Sequence, residues 1–95
     1  MAPASITVKI PTILRSYTDG AKSVEASGET LDAVITDLDA RHTGLRDRLV
    51  APEGGLHRFV NLYVDDEDVR FLGGLGTRVQ GGQTVTILPA VAGGA

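Results

Sequence analysis

One helical stripe sets the terms for this chain. Between Glu29 and His42, the residues Leu31, Val34, Ile35 and Leu38 fall at i, i+3, i+4 and i+7, which lines apolar side chains along one side of a helix. Thr30 can cap its N-terminus, and Asp32 suits the positive end of the helix dipole. Arg41 and His42 suit the negative end, and Gly44 is placed to end the helix. A second helical signal is a stub from Leu45 to Leu49, which stops before Pro52. A single long amphipathic helix has no equal to pack against, so its stripe must be buried on a sheet.

The flanking segments supply one. Ser5 to Ile10 alternates, with Ile6, Val8 and Ile10 on one face, and Pro11 and the Thr18-Asp19-Gly20 turn signal interrupt it. Lys22 to Ala26 reads as a returning strand with Val24 and Ala26 inward. Phe59 to Val64 is a second strong strand, with Val60, Leu62 and Val64 inward. Asp65-Asp66-Glu67-Asp68 then makes a turn and Val69-Arg70-Phe71 a short strand, followed by an irregular glycine-rich stretch from Leu72 to Gly82. Thr84 to Leu88 is the last strand, with Val85 and Ile87 inward. This order predicts an α+β fold, a small sheet with one main helix on one face. The length of 95 residues fits a single domain, expected over residues 1–88 with a flexible tail over 89–95.

Several function classes are excluded early. The net charge is −3 and the basic residues are scattered, which argues against a nucleic-acid partner. The chain has no cysteine, so disulfides, thiolate metal sites and side-chain persulfides are out of reach. The opening Met1-Ala2-Pro3-Ala4-Ser5 lacks the charged and apolar regions of a signal peptide. No apolar run approaches the ~20 residues of a membrane span. A cytoplasmic protein without a membrane partner is expected.

The candidate chemical motifs are weak. The acidic run Asp65-Asp66-Glu67-Asp68 lacks the spaced ligands and the glycine of a calcium loop, so a solvated turn is favoured and no metal is expected. His42 reads as a helix C-terminal cation and His57 as a loop residue before a strand. Leu72-Gly73-Gly74-Leu75-Gly76-Thr77-Arg78 lacks the lysine of a phosphate loop and does not open a helix. Ser5, Ser16, Ser23 and Ser27 have no identifiable base. No side-chain active site is visible, which argues against an enzyme acting alone.

Two features remain. If Val60, Leu62 and Val64 face the helix, then Phe59 and Tyr63 face away from it, as does Leu88 on the last strand. An apolar face without a covering helix suggests a partner surface. The alternative is that the Phe59 or Tyr63 ring folds over the loop from Ala51 to Leu56. The other feature is the tail, Pro89-Ala90-Val91-Ala92-Gly93-Gly94-Ala95, which offers almost no side-chain chemistry. Glycine has no Cβ, so Gly93-Gly94 can thread a narrow slot and present a carboxyl carbon to attack. Pro89 stiffens the exit from the last strand.

The run Leu88-Pro89-Ala90-Val91-Ala92-Gly93-Gly94 after this strand order resembles the small sulfur carriers of the ThiS and MoaD type. Internal segments extend the resemblance: Ile10-Pro11-Thr12-Ile13-Leu14-Arg15, Leu56-His57-Arg58-Phe59-Val60-Asn61 and Asp66-Glu67-Asp68-Val69-Arg70-Phe71. They favour the branch that serves cysteine biosynthesis. The resemblance implies a ubiquitin-like β-grasp fold with a small mixed sheet, and a protein-bound sulfur donor with no cofactor of its own. The reacting group would be the C-terminal carboxyl of Gly94, with Val91, Ala92 and Gly93 as threading residues. An ATP-dependent adenylating enzyme of the E1-like class would activate Gly94, and sulfur would displace AMP to leave a thiocarboxylate. A PLP-dependent cysteine synthase would use that sulfur, and a JAMM-type zinc peptidase would release the product. Alternatives within the resemblance are a donor for thiamin or a secondary metabolite, the small subunit of molybdopterin synthase, and a protein modifier attached to lysines.

Ala95 departs from the pattern. It turns the Gly94 carbonyl into an amide, which cannot be adenylated. Ala95 is removed, was appended artificially, or mimics a blocked state; removal from a precursor is favoured, with the JAMM-type peptidase as the candidate.

Overall fold

The computed structural model describes residues 5–89. The first strand, β1 (Ser5–Lys9), pairs antiparallel with β2 (Ser23–Ser27), in register from Ser5 opposite Ser27 to Lys9 opposite Ser23. The stripe predicted as a helix forms α1 (Leu31–Arg41), followed by a single turn, α2 (Leu45–Leu49). Strand β3 (Val60–Val64) folds back through Asp65 and Asp66 onto the two-residue β4 (Glu67–Asp68). The last strand, β5 (Thr84–Pro89), lies between β1 and β3, parallel to the first and antiparallel to the second. The sheet order is therefore β2-β1-β5-β3-β4. A mixed sheet in that order, with one main helix laid across one face, is the ubiquitin-like β-grasp arrangement.

The core is the interface the alternation predicts. Leu31, Val34, Ile35 and Leu38 of α1 are buried against Ile6, Val8, Ala26, Leu62, Val64, Val85 and Ile87 of the sheet. Thr30 caps the helix through Oγ1, which accepts the Ala33 N–H at 3.2 Å. Asp37 ties the helix to the sheet: its Oδ2 accepts the Ser27 N–H at 2.9 Å and the Arg41 Nε–H at 2.9 Å. No helix among the described residues is long and apolar enough to cross a membrane.

Several local expectations are corrected. The helix ends at His42, whose N–H donates to the Leu38 carbonyl. Gly44, at φ +103°, instead opens α2, because the Asp39 carboxylate accepts both the Gly44 and Arg46 N–H groups. The β1–β2 connection holds a 3-10 helix from Thr12 to Thr18, which buries Leu14 and Thr18. Val69–Phe71 is a 3-10 turn and not a strand, since the Asp68 carboxylate accepts the Arg70 N–H and curls the backbone. Phe59 precedes β3 because its N–H is taken by His57 Nδ1, while the Val60 N–H donates to the His57 carbonyl. Strand β5 runs one residue past the predicted end, with Pro89 opposite Val60.

Candidate functional site

The residues Val91, Ala92, Gly93, Gly94 and Ala95, on which the chemistry is expected to rest, lie outside the described residues. What the structure gives is the platform from which they continue. The register Val60–Pro89, Asn61–Leu88 and Leu62–Ile87 holds the end of β5 against β3. Strand β1 pairs with β5 only from Thr84 to Thr86, so the last three residues of β5 are held on one side alone. Leu88 stands on the face opposite α1 and is 44% exposed.

Phe59 lies beside that end, next to Val60 in sequence, and is 62% exposed. Its ring is tilted against His57 with centroids 4.8 Å apart, and the Arg58 guanidinium lies 5.8 Å from the ring centre. It also lines a depression with Pro52 and Leu56, so it leans along the Ala51–Leu56 loop while remaining open to solvent. Tyr63 is half-buried on the outer face, opposite Thr86 on one side and Asp68 on the other. Tyr63 and Leu88 thus share the outer side of β3 and β5, whereas Phe59 stands before β3 and opens onto the depressions lined by Tyr17, Arg48 and the Ala51–Leu56 loop.

One neighbour escaped the sequence reading. Ile13, in the 3-10 helix after Pro11, is 62% exposed and lines an open depression of about 470 Å³ with Tyr17, Arg48, His57 and Phe59. Arg48 Nε donates to the Tyr17 hydroxyl at 2.7 Å, with its guanidinium carbon 5.7 Å from the centre of that ring. Ile13 follows no strand or helix period, but its position beside buried Leu14 in an Ile-Leu pair was the available signal.

The weak motifs resolve into structure. Asp65 accepts the Thr84 N–H through Oδ1 at 2.9 Å and Gln83 Nε2 through Oδ2 at 3.0 Å, bracing the start of β5. Asp68 engages Arg70 through both oxygens, at 3.2 Å to Nε and 2.8 Å to a terminal nitrogen. Those bonds hold the Asp68 carboxyl below its usual range, with the Arg70 side chain the main cause, and push the Arg70 guanidinium up. The glycine cluster around Gly74 is stapled to the start of α1: the Leu31 N–H donates to the Thr77 carbonyl at 2.8 Å and the Val79 N–H to the Glu29 carbonyl at 3.0 Å. The helix N-terminus that a phosphate would need is therefore already engaged.

Comparison with known proteins fits this picture. The fold places the chain among ubiquitin-like β-grasp proteins. The ThiS family model matches residues 8–94. The sulfur carrier protein CysO of Mycobacterium tuberculosis is 63% identical over 92 residues, covering 95% of this chain and 99% of that protein. The crystal structure of that CysO superposes with a TM-score of 0.88 at 62% identity, covering 90% of this chain and 99% of the other. The CysO of Amycolatopsis orientalis, solved in complex with BexX, superposes with a TM-score of 0.87 at 60% identity, covering 92% and 97%. The chain belongs to the ThiS family. Its role is that of a sulfur carrier rather than an enzyme.

Proposed function

We propose that the chain carries sulfur as a C-terminal thiocarboxylate on Gly94 and donates it for cysteine biosynthesis in the cytoplasm. The observation that carries this reading is the likeness to CysO along nearly the whole chain, joined to a tail with no side chain able to hold sulfur. Chemically, a carboxylate is a poor nucleophile toward carbon, whereas a thiocarboxylate places charge on a polarisable sulfur. Forming it requires activation: an E1-like enzyme uses ATP to make the Gly94 acyl-adenylate with release of pyrophosphate, and sulfide displaces AMP. A PLP-dependent cysteine synthase is the proposed client.

Gly94 is in peptide linkage to Ala95, so that bond must be hydrolysed before adenylation. A JAMM-type zinc peptidase is the proposed agent. Val91, Ala92 and Gly93 thread the partner's channel, and the domain up to Leu88 serves as the handle. Phe59, Tyr63 and Leu88 are the residues proposed to meet these partners.

The test is the intact mass of the protein isolated from its native host. The expected species spans residues 1–94 with one carboxyl oxygen replaced by sulfur. Protein that always retains Ala95 and never carries sulfur would refute the reading. One observation favours more than one client: a CysO 60% identical to this chain was solved in complex with BexX, which supports a carrier that meets a protein besides the cysteine synthase.

A further inference from the structure

Lys9, Arg15 and Lys22 gather around Leu88 and Thr86 at the end of β5, lining one shallow depression beside the point where the tail begins. Lys9 and Lys22 are exposed and Arg15 is half-buried, its Nε donating to the Ile10 carbonyl at 3.1 Å. Among the described residues the ion pairs are Arg41–Asp37, Arg46–Asp32 and Arg70–Asp68, so none of these three cations is neutralised. The chain as a whole is acidic, with net charge −3. Three of its exposed acids, Asp65, Asp66 and Glu67, lie at the opposite end of the sheet, because β3 runs antiparallel to β5 and turns there, while Asp19, in the β1–β2 connection, and Glu25, on β2, are exposed as well. Among the described residues, the depression beside the start of the tail is therefore lined by three cations and no acid, on a chain that is acidic overall.

We infer that this cluster is a docking surface for an acidic rim around the partner active site that takes the tail. The inference rests on the carrier reading above. A protein that takes the tail along its whole length is brought up against this patch, which lies where the tail leaves β5. A basic rim there would be repelled. A neutral, dry rim would strip water from three cations without replacing it. A carboxylate-bearing rim with an apolar notch for Leu88 satisfies both the charge and the exposed side chain, and it would steer the tail end first.

The probe is purified BexX of Amycolatopsis orientalis, titrated with the full chain while association is followed by stopped-flow fluorescence. At 50 mM salt, Lys9→Glu/Lys22→Glu should slow association by about tenfold or more, and Lys9→Gln/Lys22→Gln by an intermediate factor. At 500 mM salt, where screening acts within a few ångströms, the difference should shrink to within about twofold. Glu67→Lys, at the far end of the sheet, should change the rate by less than about twofold at either salt. Equal rates for the charge-reversed and wild-type chains at 50 mM would overturn the inference, and so would a loss undiminished at 500 mM. Failure of the wild type to bind BexX at 50 mM salt would overturn it as well. The carrier reading itself stands or falls separately, on the thiocarboxylate mass.

Discussion

Gly28 joins β2 to α1, and replacing it tests how firmly the helix is seated on the sheet. A Cβ at this position would stand 2.7 Å from the Val34 nitrogen and 2.9 Å from both the carbonyl carbon and the Cβ of Ala33. Real Cβ atoms do not come that close, and two of these three neighbours are helix backbone. The helix cannot retreat cheaply. Its stripe is buried on the sheet, and Asp37 ties it to Ser27. Two effects compete in Gly28→Ala. Narrowing the unfolded ensemble stabilises by about 0.4–1 kcal/mol, whereas forcing an extra methyl into a packed site costs about 1–3 kcal/mol. At mid-range values the clash wins by about 1 kcal/mol, which in a domain of this size lowers Tm by roughly 4–8 °C. Thermal and urea unfolding measure it, and an unchanged urea m-value would show that the denatured state has not shifted. A double-mutant cycle isolates the cause, because Ala33→Gly removes one of the clashing atoms. The cycle should be non-additive by about 0.5 kcal/mol or more, with Ala33→Gly less costly in the Gly28→Ala background than in the wild type. A Gly28→Ala protein as stable as wild type would refute the reasoning, since the helix would then be free to move.

Two further outcomes are expected. Asp68 has a folded-state pKa depressed by Arg70, so its contribution to stability is complete above the unfolded value, near 4, and is lost as pH falls through the folded value. Asp68→Asn should therefore lower Tm at pH 7, and the gap should close below about pH 4; a gap constant from pH 7 to pH 2 would contradict this. Gly93→Val should leave Tm unchanged while lowering ATP–pyrophosphate exchange by the cognate adenylating enzyme about 10²-fold, measured on chain ending at Gly94. Exchange at the wild-type rate would contradict the threading role.

Regular burial made most of the fold legible. Ile6, Val8, Val60, Leu62, Val64, Val85 and Ile87 alternate because one face of each strand is covered, and Leu31 to Leu38 repeat because one side of the helix covers it. The misreadings lie where local hydrogen bonds override period. Val69 and Phe71 look like one face of a strand, yet Val69 is buried and Phe71 is 88% exposed, because Asp68 turns the backbone between them. The segment from Thr12 to Thr18 shows no repeat, since its path is set by burying Leu14 and Thr18 beneath the sheet end. Ile13 was missed with it. The charge cluster was illegible for a different reason: Lys9, Arg15 and Lys22 are scattered in sequence, and strand register brings them together.

The placement of β5 bears most directly on how a carrier without an active site can act. On the function proposed above, the chain presents one carbon to several enzymes, so the strand leading to it needs a fixed origin. Here β5 is central, braced at its start by Asp65, and paired on both sides through Thr86. From Ile87 to Pro89 it keeps only β3. Pro89 has no N–H, so this last residue cannot donate to an added strand. The same three residues include exposed Leu88, which lines one depression with Lys9, Arg15 and Lys22. An Ile87→Ala substitution would loosen that origin from the core side, whereas Leu88→Ala would alter the surface and leave the buried packing intact.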